Sequence, residues 1–347
     1  MAISGVSTRT LAQSLRTALV RSQNEMNNAQ KEATTGRLAD PGLKLGSLTS
    51  QTVTLNREME RPNNIIDTNA LAGSRLSATQ NSLKDLSTQA QTFLSTLIAG
   101  SSGDATPAVM LASAKSALSS MGSILNASFN GEQIFSGINT DVKPFKGFEA
   151  GSDAKTAFDT AFQSYFGFTQ TDPGAANISK TDMEGFLASV EPDFLGAGWD
   201  ANWSNATDAT IQSRIALNET ASTSVSANID PVKKLAMAAA LTADLYSGNV
   251  SEGAREAVNA RARALVSEAV AGIANLQASV GVTENRITAT SERLKMQADV
   301  MELHIQKLEG ADPYEASTRV STLMTQIETS YALTARIQQL SLAKYLS

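Results

Sequence analysis

The 347-residue chain has no cysteine and one histidine, His304. Without cysteine there can be no disulfide, thiol catalysis or cysteine metal site. A lone histidine also leaves the usual zinc chemistry short of ligands. Aromatic residues make up only 5% of the chain, which suits thin helical bundles better than one wide core. There is no basic run, and the net charge is −6 with a pI near 5.0, so general affinity for nucleic acid is not expected. No apolar run approaches the ~20 residues of a membrane span. The opening MAISGVSTRTLAQSLRTALV lacks the apolar stretch of a cleaved signal peptide. These features predict a soluble chain without membrane insertion, which if exported would use a route that reads no cleaved signal.

The residues present are unevenly spread. Residues 1–128 hold one aromatic, Phe93, whereas 141–230 hold eight of the eleven phenylalanines and both tryptophans. The same middle segment has 13 acidic and 5 basic residues, a net of −8, which leaves +2 for the rest of the chain. An acidic, aromatic segment is thus set between two nearly neutral flanks.

The flanks are helical with heptad spacing. Leu76, Thr79, Leu83, Leu86, Ala90, Phe93 and Leu97 recur at alternating steps of three and four, as do Ile287, Ser291, Leu294, Ala298, Met301, Ile305 and Leu308. This is the pattern of a bundle or coiled-coil seam. Val258, Ala262, Leu265, Ala269, Ile273 and Leu276 extend the second face upstream. Breaks are readable: Gly310 as a C-cap, Asp312-Pro313 as N-cap and first residue of a new helix, Asp230-Pro231 opening another, and Pro41-Gly42 interrupting the first. In the middle, Thr181 to Glu184 reads as a capping box, TIQSRIALNETASTSVSANI has strand character, and FLGAGWDANWSNATD reads as loop.

The predicted fold is mainly α: a long antiparallel helical bundle or coiled-coil rod built from both chain ends, with a small inserted α+β domain. Residues 1–42 and 311–347 are expected to be terminal assembly helices, 43–138 and 231–310 the helical rod, and 139–230 the insert. The terminal stripes are small and diluted by Ser, Thr, Asn and Gln, so isolated they would be marginal in water. They are expected to be disordered in a monomer and to fold on assembly. The positions assigned to assembly are Leu11, Leu15, Leu19 and Met26, then Val320, Leu323, Ile327, Tyr331, Ile337, Leu340, Leu342, Tyr345 and Leu346.

The turn-rich stretch NGEQIFSGINTDVKPF, Asn130–Phe145, lies where the first helical flank ends. Gly131 and Gly137 permit turns, Ile134 and Phe135 are placed to pin a short hairpin, and Pro144 stops any helix. Gly131, Phe135, Ser136, Gly137, Thr140, Pro144 and Phe145 match a signature turn of flagellar hook-associated protein 3, with Gln133 where Tyr is usual. The segment therefore resembles that family within the bacterial flagellin superfamily. The closing ADPYEASTRVSTLMTQIETSYALTARIQQLSLAKYL is similar to the family's last helix, through Ser341-Leu342 and Tyr345-Leu346. Thr35, Gly36 and Arg37 resemble the flagellin-type S-T-G-x-R segment, which here keeps only Asp40-Pro41 of the usual Ser-Asp-Asp-Pro.

The resemblance covers about 1–145 and 232–347 and says nothing of the middle. It implies an extracellular structural subunit, exported unfolded without signal cleavage. Such a subunit forms a ring of identical copies at the hook–filament junction, sits on hook-associated protein 1 and seats the first flagellins. It also implies a cytoplasmic export chaperone that binds roughly 313–347. No cofactor, metal site or catalytic residue is implied.

Two other readings compete. A flagellin-type filament subunit has the same architecture. A cell-surface binding protein could use Trp199 and Trp203 with Asp200 and Asp208 as a sugar-binding face, against the plainer reading of both indoles as core. An enzyme finds little support. His304 flanks a seam position, Gly151–Thr156 lacks the P-loop spacing, and no D-x-D-x-D-G calcium loop occurs.

Overall fold

The computed structural model describes residues 8–345. In chain order these form α1 (Thr8–Thr35), α2 (Pro41–Leu45), α3 (Thr49–Ser102), α4 (Pro107–Leu125), β1 (Ser128–Phe129), β2 (Glu132–Gln133) and α5 (Asp153–Phe166). There follow α6 (Lys180–Leu195), α7 (Ala197–Asn202), β3 (Gln212–Ala216), β4 (Glu219–Ser222), α8 (Asp230–Leu245), α9 (Glu252–Glu309) and α10 (Pro313–Tyr345). The fold is a mainly-α bundle with a small inserted α+β region. It divides into a smaller unit, residues 1–64 and 294–347, and a larger one, residues 65–293. Both division points fall inside long helices, α3 and α9.

In the larger unit the expected seam is the core. Leu76, Thr79, Leu83, Leu86, Ala90, Phe93 and Leu97 are all buried on α3, as are Val258, Ala262, Leu265, Ala269 and Ile273 on α9. Gln80 donates to the Gln277 carbonyl (3.0 Å) and Arg263 to the Ser101 hydroxyl (2.9 Å), so the two helices run antiparallel. The centre of the unit is α8, in which Val232 and every residue from Leu235 to Leu245 are buried. A helix without a polar face has to be surrounded, and its alanines let the neighbours approach closely. By length and composition α4 and part of α9 are apolar enough to cross a membrane, contrary to the expectation of no such run. In the fold their apolar residues Met110, Met121, Leu125, Val258, Leu265 and Ile273 are buried in the core.

The caps formed largely as read. The Asp312 carboxylate accepts from the Tyr314 N–H (2.8 Å) at the start of α10, and the Gly310 N–H donates to the Gln306 carbonyl (2.8 Å) at the end of α9. The insert needs two corrections. Helix α6 starts two residues before the expected box: the Ser179 hydroxyl accepts from the Asp182 N–H (3.1 Å) and donates to its carboxylate (2.6 Å). That choice puts apolar residues at both staple positions, Ile178 and Met183, and both are buried. The stretch read as loop contains a short helix, α7, and α6 runs on through Pro192. Gly151–Thr156 opens α5, capped by the Ser152 hydroxyl accepting from the Lys155 N–H (3.2 Å). The strand reading held: β3 and β4 pair antiparallel, Gln212 opposite Ser222, with an irregularity between Arg214 and Ala216.

Candidate assembly surface

The smaller unit is built on the antiparallel pair α1 and α10. After Thr35 the chain turns at Gly36, which has a left-handed φ of 65°. Leu38 N–H then donates to the Glu309 carbonyl (2.7 Å), and Ala311 N–H to the Gly36 carbonyl (2.9 Å). These bonds join the end of α1 to the turn before α10. Beside them Glu32 is 2% exposed. Its carboxylate accepts from Lys44 (2.9 Å), Arg319 (2.8 Å) and the Ala39 N–H (3.2 Å). Burial alone would push this carboxyl up. The bonds from Lys44 and Ala39 and the charges of Lys44 and Arg319 outweigh that and hold it below its ordinary value.

This pair covers its apolar stripes on one side only. Ala29, Ala316 and Ile327 are buried, while Leu15, Leu19, Met26, Val320 and Leu323 are half-buried. Tyr331 is 52% exposed, and its hydroxyl accepts from Gln23 (3.0 Å). Val20, Met324 and Leu333 are exposed as well, as are Leu43 and Tyr314 near the turns. The side chains of Leu11, Ile337, Leu340, Leu342 and Tyr345, and the whole of Leu346, lie outside the described residues.

The signature turn belongs to the larger unit and faces inward. Asn130 (φ 53°) and Gly131 (φ 85°) form the two-residue connection between β1 and β2. Phe135, Ser136, Gly137, Pro144 and Phe145 are buried, and Thr140 is half-buried. Gly137 has φ 69°, and a side chain there would run into the carbonyl oxygens of Thr207 and Ala209. The Ser136 carbonyl accepts from the Thr207 N–H (3.1 Å), and the Phe135 carbonyl from the Ala227 N–H (2.7 Å). Asn126, which caps α4, holds both ends of Phe145: its Oδ1 accepts from the Phe145 N–H and its Nδ2 donates to the carbonyl, each at 3.0 Å. The Phe145 ring lies 6.2 Å from Trp199 and 6.0 Å from Trp203. The turn therefore stitches α4 to the segment carrying both indoles. Sequence reasoning missed Asn126, although an Asn directly after an apolar helix is a recognised cap signal.

Burial of Trp199 (0%) and Trp203 (2%) corrects the sugar-binding reading of the indoles. They stack on each other at 5.8 Å, and Trp199 Nε1 donates to Asn228 (2.9 Å). His304 is exposed on α9. Among the described residues no group of three or more His, Cys, Asp or Glu is placed to hold a metal ion.

Residues 6–140 match the bacterial flagellin N-terminal helical region, and residues 264–346 the bacterial flagellin C-terminal helical region. Among solved structures, a protein from Vibrio parahaemolyticus assigned as a flagellar hook-associated protein is similar in fold. It has 13% identity and a TM-score of 0.52, over 76% of this chain and 97% of that one. A comparison with curated proteins gave no match.

Proposed function

The chain belongs to the bacterial flagellin family, and we propose that within the flagellum it is the subunit that joins the hook to the filament. In this reading it forms a ring of identical copies on hook-associated protein 1 and seats the first flagellins. The observation that carries the reading is the match of Gly131, Phe135, Ser136, Gly137, Thr140, Pro144 and Phe145 to the junction-type turn. In this chain the turn gives two of those residues a structural role: Gly137 is forced by two carbonyls, and the Phe145 backbone is held at both ends by Asn126. A hook-associated protein of similar fold adds support. Family membership argues for a structural rather than an enzymatic role.

Assembly falls to the terminal helices, with Leu15, Leu19, Met26, Val320, Leu323, Ile327 and Tyr331 on the shared face. Residues 313–347 also serve as the segment held by an export chaperone. In a dilute monomer these helices exchange their amides quickly, and assembly slows that exchange. Full protection of α1 and α10 in a dilute monomer would end this part of the reading.

Deletion of the gene tests the junction role. The expected phenotype is bare hooks by electron microscopy with flagellin lost to the medium, because export continues while the seat for polymerisation is gone. Filaments of normal length would reject the junction and leave a minor filament subunit.

A further inference from the structure

We propose that a cleft in the smaller unit receives the first half of α1 from a second copy of this chain, with Val20 set against Leu43 and Leu323 and Arg16 on the carboxylates of Asp40 and Glu315. This rests on the assembly reading above and names its contact. The cleft has a volume of about 440 Å³ and lies among α1, the turn through α2, and α10. Ala29, Leu43 and Leu323 give it apolar walls, and Glu25, Asp40 and Glu315 line it with them. Leu43 is 83% exposed, so its own chain leaves this wall largely uncovered.

Charge on the α1–α10 pair is polarised along its length. Residues 8–24 carry Arg9, Arg16 and Arg21, residues 329–345 carry Arg336 and Lys344, and neither stretch has an acid. The helices run antiparallel, with Gln23 bonded to Tyr331 (3.0 Å) and Arg319 to Glu32 (2.8 Å), so these basic residues share one end of the pair. The cleft lies toward the other end. Its lining sets four carboxylates, Glu25, Glu32, Asp40 and Glu315, against two cations, Lys44 and Arg319. Glu32 holds both cations. Asp40 meets no cation among the described residues and accepts from the Leu43 N–H (3.0 Å), while Glu315 has only the Nε of Arg319 at 3.9 Å. The surplus of negative charge suits a basic occupant, and the opposite end of another copy is basic throughout.

The basic end presents a matching face. Gln13, Arg16, Thr17, Val20 and Asn24 recur at helical spacing and are all exposed, with Val20 the one apolar member. Arg16 forms no ion pair among the described residues, whereas Arg21 is held by Glu25 (3.1 Å). Two turns of a helix about 10 Å across occupy more than 440 Å³. The cleft therefore takes side chains from a helix laid over it: Val20 against the apolar walls, and one turn away a guanidinium, which binds carboxylates in bidentate fashion. Val20 and Glu32 stand twelve residues apart, about 18 Å along α1, so the face and the cleft are different patches. A contact between different patches leaves one of each open on every copy and continues into a ring or helical array, whereas a twofold contact stops at a dimer.

Disulfide cross-linking of the full-length protein tests this. The chain has no cysteine, so Val20→Cys and Leu43→Cys each carry one thiol, and a disulfide needs Cα atoms within about 7 Å. Val20 is 54% exposed and Leu43 83% exposed, so both variants should keep the wild-type Tm. Should Leu43→Cys lower it, Thr322→Cys, exposed in the same cleft, takes its place. The two variants are mixed at the highest soluble concentration and oxidised with copper phenanthroline. The mixture is expected to give at least tenfold more disulfide dimer than either variant alone. Adding Arg16→Glu to the Val20→Cys copy should lower that yield at least fivefold at unchanged Tm. A mixture that gives no more dimer than the single variants overturns the proposal and leaves the cleft to a different subunit. A yield unchanged by Arg16→Glu overturns it as well. Bare hooks on gene deletion together with no mixed dimer would reject this contact while keeping the junction role.

Discussion

The smaller unit, 118 residues, buries six apolar side chains among the described residues, three of them alanine, and leaves eleven large apolar ones exposed. The larger unit, 229 residues, buries 53 and exposes eight. The inversion is far beyond what the twofold difference in size produces. At roughly 25 cal/mol per Å² of apolar surface removed from water, the first unit gains little from its own packing and the second gains most of what it needs. On the proposed reading, the difference separates the part that folds for itself from the part that keeps apolar surface for neighbouring subunits.

The largest expected effect strikes the self-sufficient unit. Phe93 is fully buried on the α3 seam, so Phe93→Ala should cost about 3–5 kcal/mol. Both tryptophans lie in this unit, and urea unfolding followed by tryptophan fluorescence reads it directly. A loss under about 1 kcal/mol, the scale of a surface change, would show that the seam is loosely packed and that the comparison is overdrawn. Gly137→Ala comes next, at about 2–3 kcal/mol, because strained backbone and the carbonyls of Thr207 and Ala209 both oppose a methyl group. The same fluorescence readout applies, and unchanged stability would mean that the turn can open without cost.

Two buried carboxylates give the units opposite responses to acid. The folded state holds the carboxyl of Glu32 below its ordinary value. Its contribution is therefore complete above that value and is lost as pH falls through the lowered pKa. Burial raises the carboxyl of Asp244 in the larger unit, against the pull of Lys155 at 2.9 Å. Its ionisation opposes folding, and the larger unit regains that stability as pH falls toward the ordinary aspartate value. Acid should thus speed amide exchange in α1 and α10 before it lowers the tryptophan-detected midpoint. Glu32→Gln should remove the acid step and cost the smaller unit about 1–2 kcal/mol at neutral pH, a figure reduced because Lys44 and Arg319 are partly solvated. Equal acid sensitivity in the variant would assign the step to another group.

How much was readable from sequence follows the same division. The seam from Leu76 to Leu97 was legible because seven residues keep one period and one long helix carries them. Gly310, Asp312 and Pro313 were legible because caps act through their immediate neighbours. Helix α5 was missed although Phe158, Phe162 and Phe166 recur every four residues, since clustered aromatics read equally well as a core without an element. Helix α7 has six residues, too few for a period to show. The start of α6 turned on two overlapping boxes, Ser179–Asp182 and Thr181–Glu184, and the flanking apolar residues that favour the first are visible only as burial. The inward role of the signature turn could not be read either, because the carbonyls of Thr207 and Ala209 lie some seventy residues away in sequence.

The smallest expected effect on stability is also the sharpest test of the comparison. Leu333 is 49% exposed and Met324 is 55% exposed on α10. If their faces exist for neighbours, Leu333→Ser and Met324→Ser should change the stability of the isolated chain by no more than about 0.5 kcal/mol, as for other surface substitutions. The same variants should fail to assemble into an ordered oligomer, with sedimentation as the readout, because each would remove an apolar contact at every subunit boundary. Phe93→Ala, assayed above its folding threshold, should show the reverse: a weakened chain that still assembles. Serine variants that assemble like the wild type would mean that the exposed residues of the smaller unit are ordinary surface, and the inversion between the two units would then have no functional content.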